Sequence, residues 1–274
     1  MIGLEPVPAG WEPELQDFIK FLVSEGRPAT TRDLRFRWVR RFARWVDMPP
    51  WQVDLGAAVA WSAAHDWAPN TRRSAHQSVK SFYSWAVLAG RVKVSPVEDL
   101  PAGKKFKAIK RPATLAEVEQ ARAVACERVG MMIRLASEAG LRRGEVARVH
   151  ARDVVADLLG SSLIVHGKGG KDRQVPITES LAAAIKAGAA GGYLFPGADA
   201  GHLAPATVGA LVSRVLPAGV SMHDLRRGFA TRAYQATGDL LSVQELLGHA
   251  SPETTLAYVT VAPARLRAAV MAAA

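Results

Sequence analysis

The 274-residue sequence contains a single cysteine, Cys126. One thiol cannot close an internal disulfide, which excludes a disulfide-stapled secreted scaffold. Nor can it build the usual thiolate-rich structural zinc site. No run of about 18 or more apolar residues is present, so no membrane-spanning helix is predicted. The opening stretch, MIGLEPVPAGWEPEL, has neither the basic start nor the apolar centre of a signal peptide. These absences make a soluble cytoplasmic protein the expectation. All seven tryptophans lie between Trp11 and Trp85, so the rest of the chain has none. Lysine is scarce beside arginine, ten against 25.

The composition that remains, 49% hydrophobic and 22% charged, is that of a globular protein. At about 150 residues per domain the length suits one large domain or two ordinary ones, with enough chain to bury a core unaided. Basic residues outnumber acidic ones, 35 to 25, for a net charge of +10. Such a surplus favours a polyanionic partner, and nucleic acid is the commonest. The surplus is uneven: residues 1–111 carry +7 and residues 112–274 carry +3.

Between these parts runs SPVEDLPAGKKFKAIKRPAT, where Pro96, Pro101, Gly103 and Pro112 interrupt regular structure. Lys104, Lys105, Lys107, Lys110 and Arg111 make it densely basic. The expected organisation is a helical DNA-binding domain over 1–96, a basic linker over 97–112 and a second domain over 113–274.

Apolar residues at helical spacing predict helices near 12–25, 30–46, 53–65 and 71–88. Within 30–46, Leu34, Trp38, Phe42 and Trp45 form the expected buried stripe, with Arg37, Arg40 and Arg44 opposite. Within 71–88, Ala75, Val79, Phe82, Tyr83 and Ala86 form a stripe, while Arg73, Gln77, Lys80 and Ser84 share another face. The basic residues of these faces and of the linker are the candidate contacts to DNA phosphates, and Gln77 and Ser84 could reach base edges in a major groove.

In the second part, Thr114 with Glu117 reads as a capping box opening a helix. Another helix, near 129–139, should end at Gly140, and a third begins at Arg143. SSLIVHGKGGKDRQVPI reads as two strands joined by a glycine-rich turn. Helices are expected near 178–187, 205–215, 223–236, 242–248, 252–260 and 263–273, with Ser242 and Glu245 as a further capping box. The fold class is therefore mostly α in two domains, the second a mixed α+β domain with a small antiparallel sheet.

Three segments are candidates for chemistry: EAGLRRGEVARV, the turn HGKGGKDR, and MHDLRRGFATRAY followed by LLGHASPETTLAYV. In this order and spacing they resemble the tyrosine recombinase, or phage integrase, family over nearly the whole chain. Gly140, Leu141, Arg142 and Glu145 match its first arginine motif, and Gly167, Lys168 and Gly169 match its hairpin lysine turn. His223, Leu225 and Arg226 match its His-x-Leu-Arg motif, and Leu247, Gly248 and His249 match Leu-Gly-His. Tyr258, nine residues after His249, falls at the nucleophile. The position after Arg226, often histidine in the family, is Arg227 here. Glu145 and Asp153 match positions the family uses for support.

The chemistry implied suits these residue types. Arg142 and Arg226 offer planar forks of donors, always protonated, for the charge that builds on a scissile phosphate. Tyr258 would attack phosphorus and form a covalent phosphotyrosine. Its phenol ionises near pH 10, so a base or a cationic site must assist, and His223 is suited to acid–base work near neutrality. His249 would bond a non-bridging oxygen. Lys168 could protonate the leaving 5′ oxygen, a role arginine cannot fill. No metal or cofactor is expected. The GKGG turn lacks the spacing of a nucleotide-binding loop.

The resemblance implies a site-specific recombinase acting in a bacterial host at the nucleoid, on mobile DNA. It implies dimers on inverted half-sites, a tetrameric synapse joined through the C-terminal tail, and a directionality factor as a further partner. A type IB topoisomerase and a catalytically inactive DNA-binding protein are the alternatives. Only about ten residues precede the first predicted helix, which leaves no room for an additional arm-binding domain. The choice between a minimal integrase and a dimer-resolving recombinase stays open. The ending AVMAAA resembles small apolar tails read by bacterial proteases.

Overall fold

A computed structural model describes residues 5–101, 103, 111–167, 170–248 and 270–271. The chain falls into two compact units, residues 1–108 and 109–274. Among the described residues no helix is long and apolar enough to cross a membrane.

The first unit is a helical bundle of α1 (Trp11–Ser24), α2 (Ala29–Val46), α3 (Leu55–Ala63) and α4 (Pro69–Leu88). Trp11, Leu15, Phe18 and Leu22 of α1 meet Ala75, Val79, Phe82, Tyr83 and Ala86 of α4 in one core, all of them fully buried. Aromatic rings dominate it. Trp11 stacks on Phe82 at 5.3 Å, and its indole N–H donates to the Met48 carbonyl at 2.8 Å.

The stripe of α2 differs from the sequence expectation. Leu34 and Trp45 are exposed, and the buried face is Val39, Phe42, Ala43 and Val46. The helix is turned so that Trp38 packs edge-on against Trp61 and Trp67, the ring of Trp67 coming from the turn after α3. That rotation carries Arg40 inward, where it pairs with Glu12.

The polar face of α4 holds the segment that follows the helix. Lys80 Nζ donates to the Glu98 carbonyl at 2.7 Å, and Arg73 Nη1 to the Gly103 carbonyl at 3.3 Å. Between them the buried His76 bonds the Pro101 carbonyl through Nδ1 and Ser62 Oγ through Nε2. Burial lowers its pKa, which favours the neutral ring.

The second unit begins with α5 (Leu115–Val124), opened by the Thr114–Glu117 capping box that the sequence predicts. Helices α6 (Glu127–Glu138) and α7 (Arg143–Ala147) follow. The sheet has three antiparallel strands in the order β1 (Val154–Asp157), β2 (Gly160–His166) and β3 (Asp172–Ile177). Two were expected. Strand β1 buries only Val154 among its four residues, so it carries no alternating signal. On the sheet, Leu163, Val165 and Val175 join Leu181 and Ile185 of α8 (Glu179–Ala189) in the core.

A short β4 (Pro196–Asp199) leads to α9 (Pro205–Ser213), α10 (Met222–Thr237) and α11 (Leu240–Leu247). The cap of α11 is Asp239, whose carboxylate accepts from the Leu241 and Ser242 N–H groups. It corrects the expected Ser242–Glu245 box: Ser242 already lies in the first turn and donates its hydroxyl to Asp239. The helices expected at 252–260 and 263–273 lie outside the described residues, apart from 270–271.

Gly140 sits just beyond α6 in the left-handed region, φ +65°, and a Cβ there would fall 2.5 Å from a Phe229 ring carbon. Gly140→Ala therefore combines backbone strain with overpacking and should lower stability by about 2–4 kcal/mol. A urea unfolding midpoint equal to wild type would contradict this.

Candidate active site

Leu141 anchors the turn between α6 and α7 in the core. Arg142 follows as the residue capping α7, and its side chain emerges, 40% exposed. Three residues on, Glu145 turns back. Its carboxylate accepts from the Arg142 backbone N–H and from Arg142 Nη1, both at 2.8 Å. Arg226, in the second turn of α10, is fully buried. Its Nη1 donates to the Gly140 carbonyl at 2.5 Å and lies 3.4 Å from Glu145, and Nη2 donates to the Leu247 carbonyl at 2.5 Å.

A third guanidinium completes the cluster. Arg173 of β3 forks the Glu145 carboxylate at 3.0 and 2.9 Å and sends Nε to the Leu246 carbonyl at 2.8 Å. One nearly buried carboxylate thus serves Arg142, Arg173 and Arg226. The same three side chains reach three consecutive carbonyls at the end of α11: Leu246, Leu247 and, at 3.4 Å, Gly248. The last carbonyls of a helix lack partners within it and form the negative end of its dipole, so cations belong there. Gly248, with φ +59°, could not carry a Cβ without approaching the Arg173 side chain to 2.9 Å.

The electrostatics follow from this packing. Burial pushes the Glu145 carboxyl up. The bonds and charge of Arg173, the Arg142 N–H and the charge of Arg226 outweigh burial and hold it at about 2. It is therefore ionised throughout the physiological range.

His223 lies in the first turn of α10, whose start is set by the Ser221–Asp224 capping box. It is exposed and shares with Arg142 a cleft of about 640 Å³ whose wall includes Arg143, Gly209, Ser213 and Ser221. Arg226 is fully buried and is not among the lining residues. Arg227 approaches Asp224 at 3.6 Å. Asp153 stands apart from the arginines: it accepts from the His150 backbone N–H at 3.1 Å and meets His166 Nε2 at 3.2 Å. It supports the hairpin rather than the cluster. Lys168, His249 and Tyr258 lie outside the described residues.

Sequence reasoning missed two residues. Arg173 was legible as the position two before Val175 on β3, where a charge on the inward-facing set requires a partner. Arg143 is exposed in the cleft, and no hydrogen bond or ion pair engages it among the described residues. A Cβ at Gly209 would come within 2.7 Å of its Cδ.

The candidate DNA contacts divide. Arg37 and Gln77 are exposed, and Arg44 is exposed but pairs with Glu5. Arg40 requires correction: it is 5% exposed, with its guanidinium on Glu12 at 2.5 Å and the Glu5 carbonyl at 2.7 Å. Its charge is committed to the bundle. Arg73 and Lys80 hold the Gly103 and Glu98 carbonyls. Lys104, Lys105, Lys107 and Lys110 lie outside the described residues.

Residues 113–265 match the profile of the phage integrase family. Among curated relatives, the tyrosine recombinase XerC of Bradyrhizobium diazoefficiens is 30% identical over 239 residues, covering 78% of this chain and 74% of that protein. The XerC of Rhodospirillum centenum is 33% identical over 234 residues, covering 76% and 68%. Among solved structures, a lambda integrase tetramer bound to a Holliday junction superposes with a TM-score of 0.74 at 17% identity, covering 91% of this chain and 77% of that one. At that identity the likeness establishes the fold.

The depressed pKa of Glu145 has a testable sign. Its stabilising contribution is complete above the ordinary carboxyl value of 4.5 and is lost as pH falls from there towards about 2. Glu145→Gln should lower stability at neutral pH and flatten the decline across that acid window. Urea unfolding over a pH series measures both; an acid decline as steep as wild type would contradict the assignment.

Proposed function

Because this chain belongs to the phage integrase family and is a tyrosine recombinase, we propose that it cuts and rejoins duplex DNA through a 3′-phosphotyrosine at Tyr258. The observation that carries this reading is the arginine cluster on Glu145. Among the described residues, one carboxylate faces three guanidiniums, so the cluster keeps a surplus of positive charge beside an open cleft. A phosphodiester is an anion suited to that surplus.

In this reading Arg142 meets the scissile phosphate from the cleft. Arg226, held by the Gly140 and Leu247 carbonyls through its terminal nitrogens, adds its positive charge to the field that receives the phosphate. His223, on the same cleft wall, assists proton transfer at the Tyr258 phenol, and His249 steadies a non-bridging oxygen. Lys168 protonates the leaving 5′ oxygen. The phosphotyrosine conserves the energy of the broken bond, so resealing requires neither ATP nor a metal. The reaction serves integration or excision of mobile DNA, within the cytoplasm at the nucleoid.

The basic first unit and linker grip the duplex through phosphates, with Arg37, Arg44 and the linker lysines as contacts. Two protomers bind inverted half-sites and four form the synapse, with the C-terminal tail joining neighbours. The tetramer in the lambda integrase structure supports this assembly by likeness of fold.

Incubation with a nicked suicide substrate carrying the proper site should trap wild type covalently on DNA, whereas Tyr258→Phe should bind without an adduct. Absence of a wild-type adduct would overturn the reading. Resealing of one strand without exchange between two sites would favour a topoisomerase. Affinity should also fall steeply with salt, the logarithm of the binding constant declining by about 0.9 per phosphate contact per logarithm of salt. A flat salt dependence would contradict the phosphate grip.

A further inference from the structure

We propose that His166 is a positioning residue for the hairpin turn that carries Lys168, its imidazole bridging Asp153 and Asp172 so as to set where the turn leaves and rejoins the sheet. The proposal deepens the recombinase reading and rests on it for the role of Lys168. His166 is the last residue of β2, and its register partner across the sheet is Asp172, the first of β3. In sequence, Lys168 lies between these two residues. The ring reaches both sides of this base. Nδ1 lies 2.9 Å from Asp172 Oδ2, and Nε2 lies 3.2 Å from Asp153 Oδ1. Asp153 ends the short 3-10 helix Ala151–Asp153 before β1 and is nearly buried. One side chain therefore links β2 to β3 and to the segment that leads into the sheet.

The backbone at the same point is held as well. Arg148 Nη2 donates to the His166 carbonyl at 2.9 Å, and the Gly167 N–H donates to the Lys171 carbonyl at 3.1 Å. A Cβ at Gly167 would fall 2.2 Å from that carbonyl oxygen, so only glycine closes the turn this tightly. The imidazole is a part of this base whose hydrogen bonds change with protonation near neutral pH.

A neutral imidazole has a single N–H and can donate to one carboxylate, leaving its other nitrogen lone pair towards the second. The imidazolium donates to both. Burial draws the His166 pKa down, but the bonds and charges of Asp153 and Asp172 outweigh burial and raise it. The other charged groups nearby are Arg152, with Nε 4.0 Å from Asp153, Arg148 on the backbone carbonyl, Lys171 in the turn, and Glu145 across a small cavity that His166 also lines. The doubly bonded clamp is thus complete below the raised pKa and loses one arm above it.

His166→Arg and His166→Ala separate this role from mere stability. Single-turnover cleavage of the suicide substrate, from about pH 6 to 9, should show a clamp-dependent falling limb in wild type. His166→Ala should cleave about 10- to 100-fold more slowly, the scale of a misplaced catalytic group, with DNA affinity within about twofold of wild type. His166→Arg keeps two donors charged at every pH, so it should recover most of the rate and lose the limb. Amide exchange at Gly167 gives a readout independent of catalysis: beyond the intrinsic pH effect, protection should fall with rising pH in wild type and stay constant in His166→Arg. If wild type forms no adduct, the recombinase reading fails while the exchange data still judge the clamp. A His166→Ala protein cleaving at the wild-type rate, or Gly167 protection that falls equally in wild type and His166→Arg, would overturn the proposal.

Discussion

One carboxylate, that of Glu145, sets the arrangement of the catalytic unit. Three arginines from α7, β3 and α10 would repel one another in a partly buried space. A single ionised acid lets them converge, and the end of α11 adds three carbonyls, each accepting from one of the arginines. The result is a hydrogen-bonded cationic cluster with one member, Arg142, turned to solvent. A buried ion pair is weak support for stability by itself, because desolvation offsets much of the attraction. Its value here is positional: it holds three guanidiniums together in one place.

The two units use positive charge differently. In the first unit much of it is internal. Arg40 pairs with Glu12, while Arg73 and Lys80 fasten the chain after α4 to that helix. The helical faces of this unit therefore present fewer unengaged basic side chains than their sequence suggests, although its net charge of +7 is unchanged by these bonds. In the second unit a smaller surplus is concentrated around one acid.

Much of this was legible in the chain, and the failures have physical causes. The α4 stripe stood out because Ala75, Val79, Phe82, Tyr83 and Ala86 all face one core. The α2 stripe was misjudged because Trp38 and Trp45 are amphipathic enough to pack at the rim, so their spacing did not mark the centre of the buried face. Strand β1 escaped notice because a strand with one buried residue has no periodicity to show. The cap of α11 was placed one turn late, since Asp239 and Ser242 both offer capping oxygens and only the backbone decides between them. Arg142, Glu145, His223 and Arg226 could be named from motifs. The convergence of Arg173 on Glu145 could not, because it joins a strand to a helix 28 residues away. His166 was visible only as a histidine beside a glycine turn; its two carboxylate partners come together through the sheet.

If Glu145 and Arg173 act as a unit that positions the other arginines, their substitutions must couple. A double-mutant cycle on single-turnover DNA cleavage tests it, using Glu145→Gln, Arg173→Met and the pair together. Strong coupling is expected, of the order of 1–3 kcal/mol, with the double variant hardly slower than the worse single one. Effects that simply add would contradict it.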